Sequence, residues 1–564
     1  MSFCKLLSNE ALTMPSIPHQ DYPRPMMVRD SYLCLNGKWQ FGAGESELYD
    51  KEILVPFPPE SILSGVDQVY PEEYSLFYKR TFSIPKDFNK GKIILHFGAV
   101  DQIAEVYVNG KFAGSHVGGY TPFCFDITEQ LVEGENELKV KVQDFLSELI
   151  LPYGKQSRKR GGMWYTPTSG IWQTVWIESV PSEFIKNVKI KAKRDLIEIV
   201  VDGIEQGAVY VDETSENFPI ENGRACFTLK DSVCWSPENP YLYHFTIKAK
   251  EDSVKSYFAI RDISIKKING IMRICLNDKP YFFHGLLDQG YWSDGQFLPA
   301  KPTMYAEEIQ KVKELGFNML RKHIKIEPQR FYYECDRCGI VVFQDMINNS
   351  KYKFFRDTVL PTVGFIRKKD KRLHKKTATR NAFLHALKET VELLMNHPSI
   401  CYWTIFNEGW GQFESQKAYK LLKSIDDTRI VDTTSGWFRC GESDVDSRHI
   451  YFRKIRIKPS DKPVVLSEFG GATLAVENHL FNLNNSYGYG KNKSREDFVK
   501  SFRDLYLNEI LPAIKHGLCG AVFTQVSDVE DEINGLFTFD RAMQKIFPEE
   551  FSDVSKLLKE EIEK

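Results

Sequence analysis

From about Lys266 onward the chain alternates between short apolar runs and longer stretches of helical period. The apolar runs are PYFFHGLL (280–287), FNMLRKH (317–323), IVVFQDM (340–346), SICYWTIFNE (399–408), RIVDTTSG (429–436), HIYFR (449–453), PVVLSEF (463–469) and GAVFTQV (520–526). Between several of them lie MYAEEIQKVKELG, PQRFYYECDRCG, AFLHALKETVELLMNH, ESQKAYKLLKSIDD and REDFVKSFRDLYLNEILPAIKHG. Runs that are apolar on both faces and separated by helices are the strands of a parallel sheet. Eight of them over roughly 300 residues predict a (β/α)8 barrel. Gly316 and Gly339 stand where the first two helices must end, the position that favours a left-handed residue.

In such a barrel the C-terminal strand ends form the active face. Two runs end there on a glutamate: Glu408, after the fourth, preceded by Asn407, and Glu468, in the seventh. A carboxylate at the end of a buried strand is costly to keep for stability alone, and two of them are what a retaining glycosidase needs. The assignment is Glu468 as nucleophile, held ionised by nearby donors, and Glu408 as general acid then base, kept protonated by a less polar surround and by the charge on Glu468. Other strand ends supply candidate sugar contacts. Arg321 and His323 are two apart and so share a face, with Arg321 placed to hold Glu468 ionised. Asp288 and Trp292 follow the first strand, Trp437 the fifth, Tyr451 lies at the sixth and Gln525 at the eighth.

Upstream the rhythm is β. LNGKWQF, YKRTFSIP, KIILHFGAV, AEVYVNGKFAGSHVG, CFDIT, NELKVKVQD and IWQTVWIES read as a sandwich of jelly-roll, galactose-binding type. Asn109-Gly110 marks a hairpin, because a type I′ turn needs positive φ at both central residues. VKIKAK, LIEIVVDG, ACFTLK, YLYHFTIKAK and KSYFAI read as a second, immunoglobulin-like sandwich. The expected domains are 1–180, 181–265 and 266–564, with residues 1 to about 30 a Pro-rich surface arm. Two segments stay open. The loop 151–168 (LPYGKQSRKRGGMWYTPT) either reaches toward a site or is plainly solvated. The basic insert 348–376 is either a solvated charge run or a cover for the barrel mouth.

The balance of 74 basic against 76 acidic residues gives no whole-chain affinity for nucleic acid or anionic membranes. No apolar run is long enough to span a bilayer. Eleven scattered cysteines fit reduced thiols. The single CxxC, Cys335 to Cys338, sits in a helical run without a second pair, which argues against a metal site there. With no signal-like apolar core near Met1, a cytoplasmic location is expected. Homo-oligomerisation is compatible with the sequence and not required by it.

The stretches LNGKWQF, VYVNGK, SGIWQTVWIE, FAIRDI, LRKHIKIEP, WTIFNEGWG and SEFGG together resemble glycoside hydrolase family 2, the family of β-galactosidases, β-glucuronidases and β-mannosidases. The resemblance spans nearly the whole chain. It implies a retaining exo-β-glycosidase with its acid/base at Glu408 and its nucleophile at Glu468, and supports Asn407, Arg321, His323 and Tyr451 as site residues. Departures bear on the sugar. Family β-glucuronidases grip the sugar carboxylate with Asn-x-Lys-Gly in the last loop; here the loop is EDEINGLFTFD, with Asn534 in the lysine's place. The galactosidase aspartate of the first domain is replaced by Trp164, and Asp288-Gln289 stands at the first-strand end. The metal-binding Glu-x-His is missing from FQDMINNS, so no metal or other cofactor is expected. The expectation is a neutral β-hexoside, galactose placed first on how common that activity is in the family. The rivals are a β-glucuronidase or β-mannosidase, a transglycosylase using the same residues, and a carbohydrate-binding protein without catalysis.

Overall fold

A computed structural model describes residues 3–362, 365, 369–451 and 453–564. The first unit is a sandwich of two antiparallel sheets. One orders its strands Tyr32–Cys34, Val175–Val180, Lys92–Phe97, Phe123–Asp126; the other Lys51–Val55, Gly37–Gly44, Ser75–Ser83, Glu135–Gln143, Ile103–Val108, Lys111–Val117. Inward-facing Trp39, Phe41, Tyr78, Leu95, Val106, Val140 and Ile177 form its core. Asn109 and Gly110 both have positive φ (51° and 75°) and join two paired strands, as the hairpin signal required.

The second unit is a seven-stranded antiparallel sheet running from Asn187 to Phe258 around Val188, Ile199, Val209, Phe245 and Val254. Two of its strands, Gln206–Val211 and Glu216–Glu221, were not anticipated. A small sheet of Ile263–Ile268, Ile271–Leu276 and Lys279–Pro280 then precedes the barrel. Its turn is Asn269-Gly270, again with positive φ at both residues. Asn269-Gly270 carries the same hairpin signal in the sequence as Asn109-Gly110. Arg273 ties it to the barrel, donating to the carbonyls of Ile514 and Leu518 at 2.9 and 3.3 Å.

The barrel strands are β1 (Phe283–Asp288), β2 (Met319–Lys322), β3 (Val341–Asp345), β4 (Ile400–Asn407), β5 (Ile430–Ser435), β6 (Asp446–Ile450), β7 (Val464–Gly470) and β8 (Leu518–Thr524). All ladder pairs are parallel, in the order β5-β4-β3-β2-β1-β8-β7-β6. β5 and β6 meet at the seam, where His449 Nε2 and Ser435 Oγ are 3.0 Å apart. β6 starts and ends three residues earlier than the run HIYFR suggests, which puts His449 inside the strand and Tyr451 just beyond it; residue 452 of that run lies outside the described residues.

Helices cover the barrel through regular apolar faces. In Thr377–Leu394 the buried Phe383, Leu387, Val391 and Leu394 recur every three or four residues, the spacing of one helix face. Burial of each such side chain contributes about 1.5–3 kcal/mol. Gly339 caps Gln329–Cys338 in the left-handed conformation, and Gly316 (φ 87°) follows the helix Thr303–Glu314. The N-terminal arm is fastened rather than loose: Ser8 donates from both N and Oγ to Asp294, and Arg24 and Arg29 pair with Glu178.

Candidate active site

Inside the barrel, Phe283, Met319, Phe343, Tyr402, Val465 and Val522 share an apolar core, with Phe343 and Tyr402 stacked at 4.0 Å. Arg321, one residue pair further along β2, opens a polar layer toward the C-terminal ends. Its guanidinium donates to four groups: Nε to Asp345 Oδ1 (3.0 Å), Nη2 to Asn407 Oδ1 (2.9 Å), and Nη1 to both Ser467 O (2.9 Å) and Glu468 Oε1 (3.0 Å). Burial opposes this charge, but Asp345 and Glu468 more than offset that, and the Arg321 pKa is raised. His323, on the same face, has Nδ1 2.7 Å from Asp345 Oδ2. Burial pushes its pKa down to about 4 against that hydrogen bond, so at neutral pH the ring is neutral with Nδ1–H donating to the carboxylate.

Glu468 has its second oxygen, Oε2, held by the Tyr451 hydroxyl. Burial would raise its pKa; the electrostatic pull of His449, of Arg321 and, in acid, of a protonated His323, with the Tyr451 hydrogen bond, outweighs burial and brings it down to about 2. It is therefore an anion across the physiological range, as its sequence assignment requires. Glu408 is the first residue past β4 and has a φ of 52°. A left-handed non-glycine costs about 1–3 kcal/mol and persists only where its surroundings over-determine it. Gly409 follows with φ 73°, and a Cβ there would lie 2.1 Å from the Phe438 ring, so only glycine permits this sharp turn. Glu408 Oε1 is 2.8 Å from His449 Nδ1, and the same nitrogen is 3.5 Å from Glu468 Oε2. The neighbour of Glu408 is thus an imidazole, not the less polar surround expected from the sequence. One oxygen of Glu408, one of Glu468 and a ring nitrogen of His449 all lie within 4.8 Å of one another.

Asn407, Arg321, His323 and Tyr451 therefore converge on the carboxylate pair. Trp437 joins them, its ring edge-on to His449 at 5.5 Å, with Nε1 donating to Asp357 O at 3.2 Å. Asp357 belongs to the insert, so the described part of that segment does reach the mouth; residues 363, 364 and 366–368 of it lie outside the described residues. The loop 151–168 also reaches the site, resolving the alternative left open. Arg160 pairs with Glu530 and Asp531 in the loop after β8 (2.6 and 2.8 Å), Tyr165 donates to Glu532 (2.5 Å), and the Trp164 ring meets Trp410 at 5.1 Å. Lys155 acts electrostatically on both His323 and Glu532, and makes no hydrogen bond or ion pair with its side chain among the described residues.

Three expected sugar contacts are engaged by other protein groups. β1 places Phe283 and Leu287 in the barrel core and His284 outside, against Phe317 and Tyr506. Asp288 has the outward parity, and its carboxylate is spent on Lys322 (2.5 Å), itself paired with Glu327. Trp292 packs on Tyr305 under the Arg541 guanidinium, in the helix layer. Gln525 is fully buried, and its Oε1 accepts from Gln289 Nε2 at 2.8 Å. The residues missed are Asp345, His449, Lys155 and Glu532. Only the first two left a trace: Asp345 ends β3, and His449 is two positions from Tyr451, on the same face.

A group able to hold a metal would need free ligands. Among the described residues the one cluster of histidine and acidic ligands that close is Glu408, His449 and Glu468 itself, with His449 Nδ1 already engaged by Glu408. At the end of β3 Asp345 is committed to Arg321 and His323, and Asn348 Nδ2 donates to Trp410 O.

Comparison with known proteins bears on the family and the fold. Family models match in sequence: the sugar binding domain of glycosyl hydrolases family 2 over residues 34–181, a further domain of that family over 184–261, and its TIM barrel domain over 267–549. A β-galactosidase of Thermoanaerobacter pseudethanolicus is 26% identical over 305 residues, 48% of this chain and 39% of the relative. A β-glucuronidase of Streptococcus agalactiae is 23% identical over 530 residues, 82% of this chain and 86% of the relative. The chain matches only 39% of the length of the β-galactosidase, and likewise of a putative β-glucuronidase of Formosa agariphila. Among solved structures, a β-glucuronidase from an uncultured Clostridium sp. superposes with a TM-score of 0.73 at 19% identity, covering 95% of this chain and 99% of that one. A β-galacturonidase from Eisenbergiella tayi gives 0.68 at 19% identity, covering 96% and 99%.

Proposed function

Since the chain belongs to family 2 of the glycosyl hydrolases, we propose that it is a retaining exo-β-glycosidase acting by double displacement on a terminal, neutral β-hexoside. The observation that carries this reading is the closeness of the Glu408 and Glu468 oxygens, within 4.8 Å. Retaining enzymes hold their carboxyls about 5–5.5 Å apart, whereas inverting ones need about 6.5–9.5 Å to admit a water.

In the first half-reaction Glu468 Oε attacks the anomeric carbon while Glu408 gives its proton to the glycosidic oxygen, so the aglycone leaves as an alcohol. Arg321 and Tyr451 keep Glu468 ionised and aimed. In the second half-reaction Glu408 takes a proton from water, whose oxygen attacks the same carbon and frees Glu468. Asn407 has its carbonyl oxygen fixed by Arg321, which leaves its Nδ2 to donate to a sugar hydroxyl.

For the sugar, support comes from Glu532 and Asn534. Asn534 Nδ2 donates to Glu532 Oε1 at 3.0 Å, so an acid and an amide stand where a uronide would need a cation. Galactose comes first among neutral hexoses because β-galactosidases are among the relatives. The second reading, a β-glucuronidase, is favoured by Lys155, whose ammonium acts on His323 and Glu532 and has no partner among the described residues, and by relatives of that name. A panel of nitrophenyl β-galactoside, glucuronide, mannoside, glucoside, fucoside and arabinoside tests the choice, with NMR of the first-formed anomer reading the stereochemistry. Retention with turnover of a neutral hexoside supports the first reading. Dominant glucuronide hydrolysis supports the second and overturns the argument from Asn534.

A further inference from the structure

We propose that His449 is the positioning residue of the acid/base, its Nδ1–H holding the Glu408 carboxyl against the anomeric centre. It also donates to the carboxylate that forms as the proton departs. This rests on the glycosidase reading above and goes beyond it, since family resemblance drew attention to Tyr451 and not to His449.

The two nitrogens of the ring do different things. Nδ1 faces only carboxyl oxygens, Glu408 Oε1 at 2.8 Å and Glu468 Oε2 at 3.5 Å. The Glu468 anion can only accept; with Nδ1 protonated, Glu408 meets it through its unprotonated oxygen and keeps its own O–H for the leaving group. Nε2 faces Ser435 Oγ at 3.0 Å across the seam between β5 and β6, where serines 435, 447 and 467 form a chain of hydroxyls. The side chain is fully buried and flanked by Trp437, so it has little freedom to turn. Glu408, by contrast, sits on a turn past the strand end with 17% of its side chain exposed. The acid has no other side-chain hydrogen bond among the described residues to fix its direction.

A donor on the carboxylate stabilises it as it loses its proton to the leaving group, so the contribution scales with how much the leaving oxygen needs that proton. Substrates with a basic aglycone should depend on His449 strongly, and those with a dinitrophenyl aglycone hardly at all. A residue needed only to hold the barrel seam would affect both alike.

The two sides of the ring can be removed separately. His449→Asn places an amide N–H close to Nδ1 and loses the seam contact. His449→Gln places its amide close to Nε2 and loses Glu408. Ser435→Ala removes the seam partner and leaves Nδ1 untouched. The measurement is kcat/KM, which reports the first half-reaction, on phenyl and 2,4-dinitrophenyl glycosides of the sugar that wild type hydrolyses. For His449→Gln and His449→Ala, the phenyl value should fall at least about tenfold further than the dinitrophenyl value. His449→Asn should recover most of that difference, and Ser435→Ala should show none of it. Equal losses on both substrates in all the His449 variants, or a Gln variant better than the Asn variant, would assign His449 to the seam alone and overturn the proposal. If wild type hydrolyses neither substrate of any sugar in the panel, the glycosidase reading itself fails and takes this inference with it.

Discussion

Arg321 Nη1 donates to Glu468 Oε1 at 3.0 Å, at a depth in the barrel where both side chains are almost wholly removed from water. A buried ion pair of this kind survives because each partner has further polar contacts: the arginine with Asp345 and Asn407, the glutamate with Tyr451. It fixes the charge of the proposed nucleophile, and it makes that charge part of the stability of the fold.

The first prediction concerns pH. The Glu468 pKa falls from an ordinary 4.5 to about 2 on folding. A depressed carboxyl contributes stability that is present above its unfolded value and is lost as pH falls through the folded one. The contribution is on the order of 3 kcal/mol. Wild type should therefore lose melting temperature faster than Glu468→Gln as pH drops from about 4.5 to about 2. The carboxyls common to both proteins cancel in the comparison. A constant gap between the two curves would mean that Glu468 is not held ionised by the fold.

Arg321→Met should be costly twice. It leaves Glu468 and Asp345 buried without their main partner, a change worth about 3–5 kcal/mol of unfolding free energy. Chemical denaturation measures that term. It should also lower kcat on aryl glycosides by more than the loss of folded protein explains, because the nucleophile then resists ionising.

Asp288→Asn separates position from proximity. Its carboxylate pairs with Lys322 outside the strand layer. The substitution should destabilise by about 3–5 kcal/mol as a broken buried pair, and leave the KM of the folded enzyme unchanged. A raised KM at full occupancy of the folded state would return Asp288 to the sugar site.

That residue also marks where the sequence stopped being legible. The run from Pro280 to Leu287 is apolar on both faces, so nothing in it says which parity points inward, and a one-residue error exchanges barrel interior for helix layer. Arg321 and His323 share a face by their spacing, yet Lys322 between them is charged too, so the strand alone does not say which face points inward. Glu408 and Glu468 stand out as acids that end buried strands beside an amide or glycines, whereas Asp288, which also ends one, pairs with Lys322. β6 was misjudged because its first half, Asp446 to Arg448, is polar and reads as loop, which put His449 at the start of the strand instead of near its active end. Lys155 and Glu532 sit on loops of different domains brought together by tertiary docking, and no spacing in the chain records that.

Asn534→Lys should move sugar preference. An ammonium beside Glu532 would offer a uronide the cation that the present amide does not. The ratio of kcat/KM for nitrophenyl β-glucuronide over β-galactoside should rise at least about tenfold, the worth of one charged hydrogen bond. An unchanged ratio would show that position 534 does not face the C6 side of the sugar.

Double displacement requires that Glu468 form a covalent bond to the sugar. A 2-deoxy-2-fluoro glycoside of the preferred sugar, bearing a dinitrophenyl aglycone, forms the glycosyl-enzyme and slows its hydrolysis. Intact-mass and peptide mapping of the trapped protein should find one fluoroglycosyl group per chain, ester-linked to the peptide around Ser467-Glu468-Phe469. A label on any other carboxyl, or turnover of the parent substrate with inverted stereochemistry and no label at all, would contradict the account.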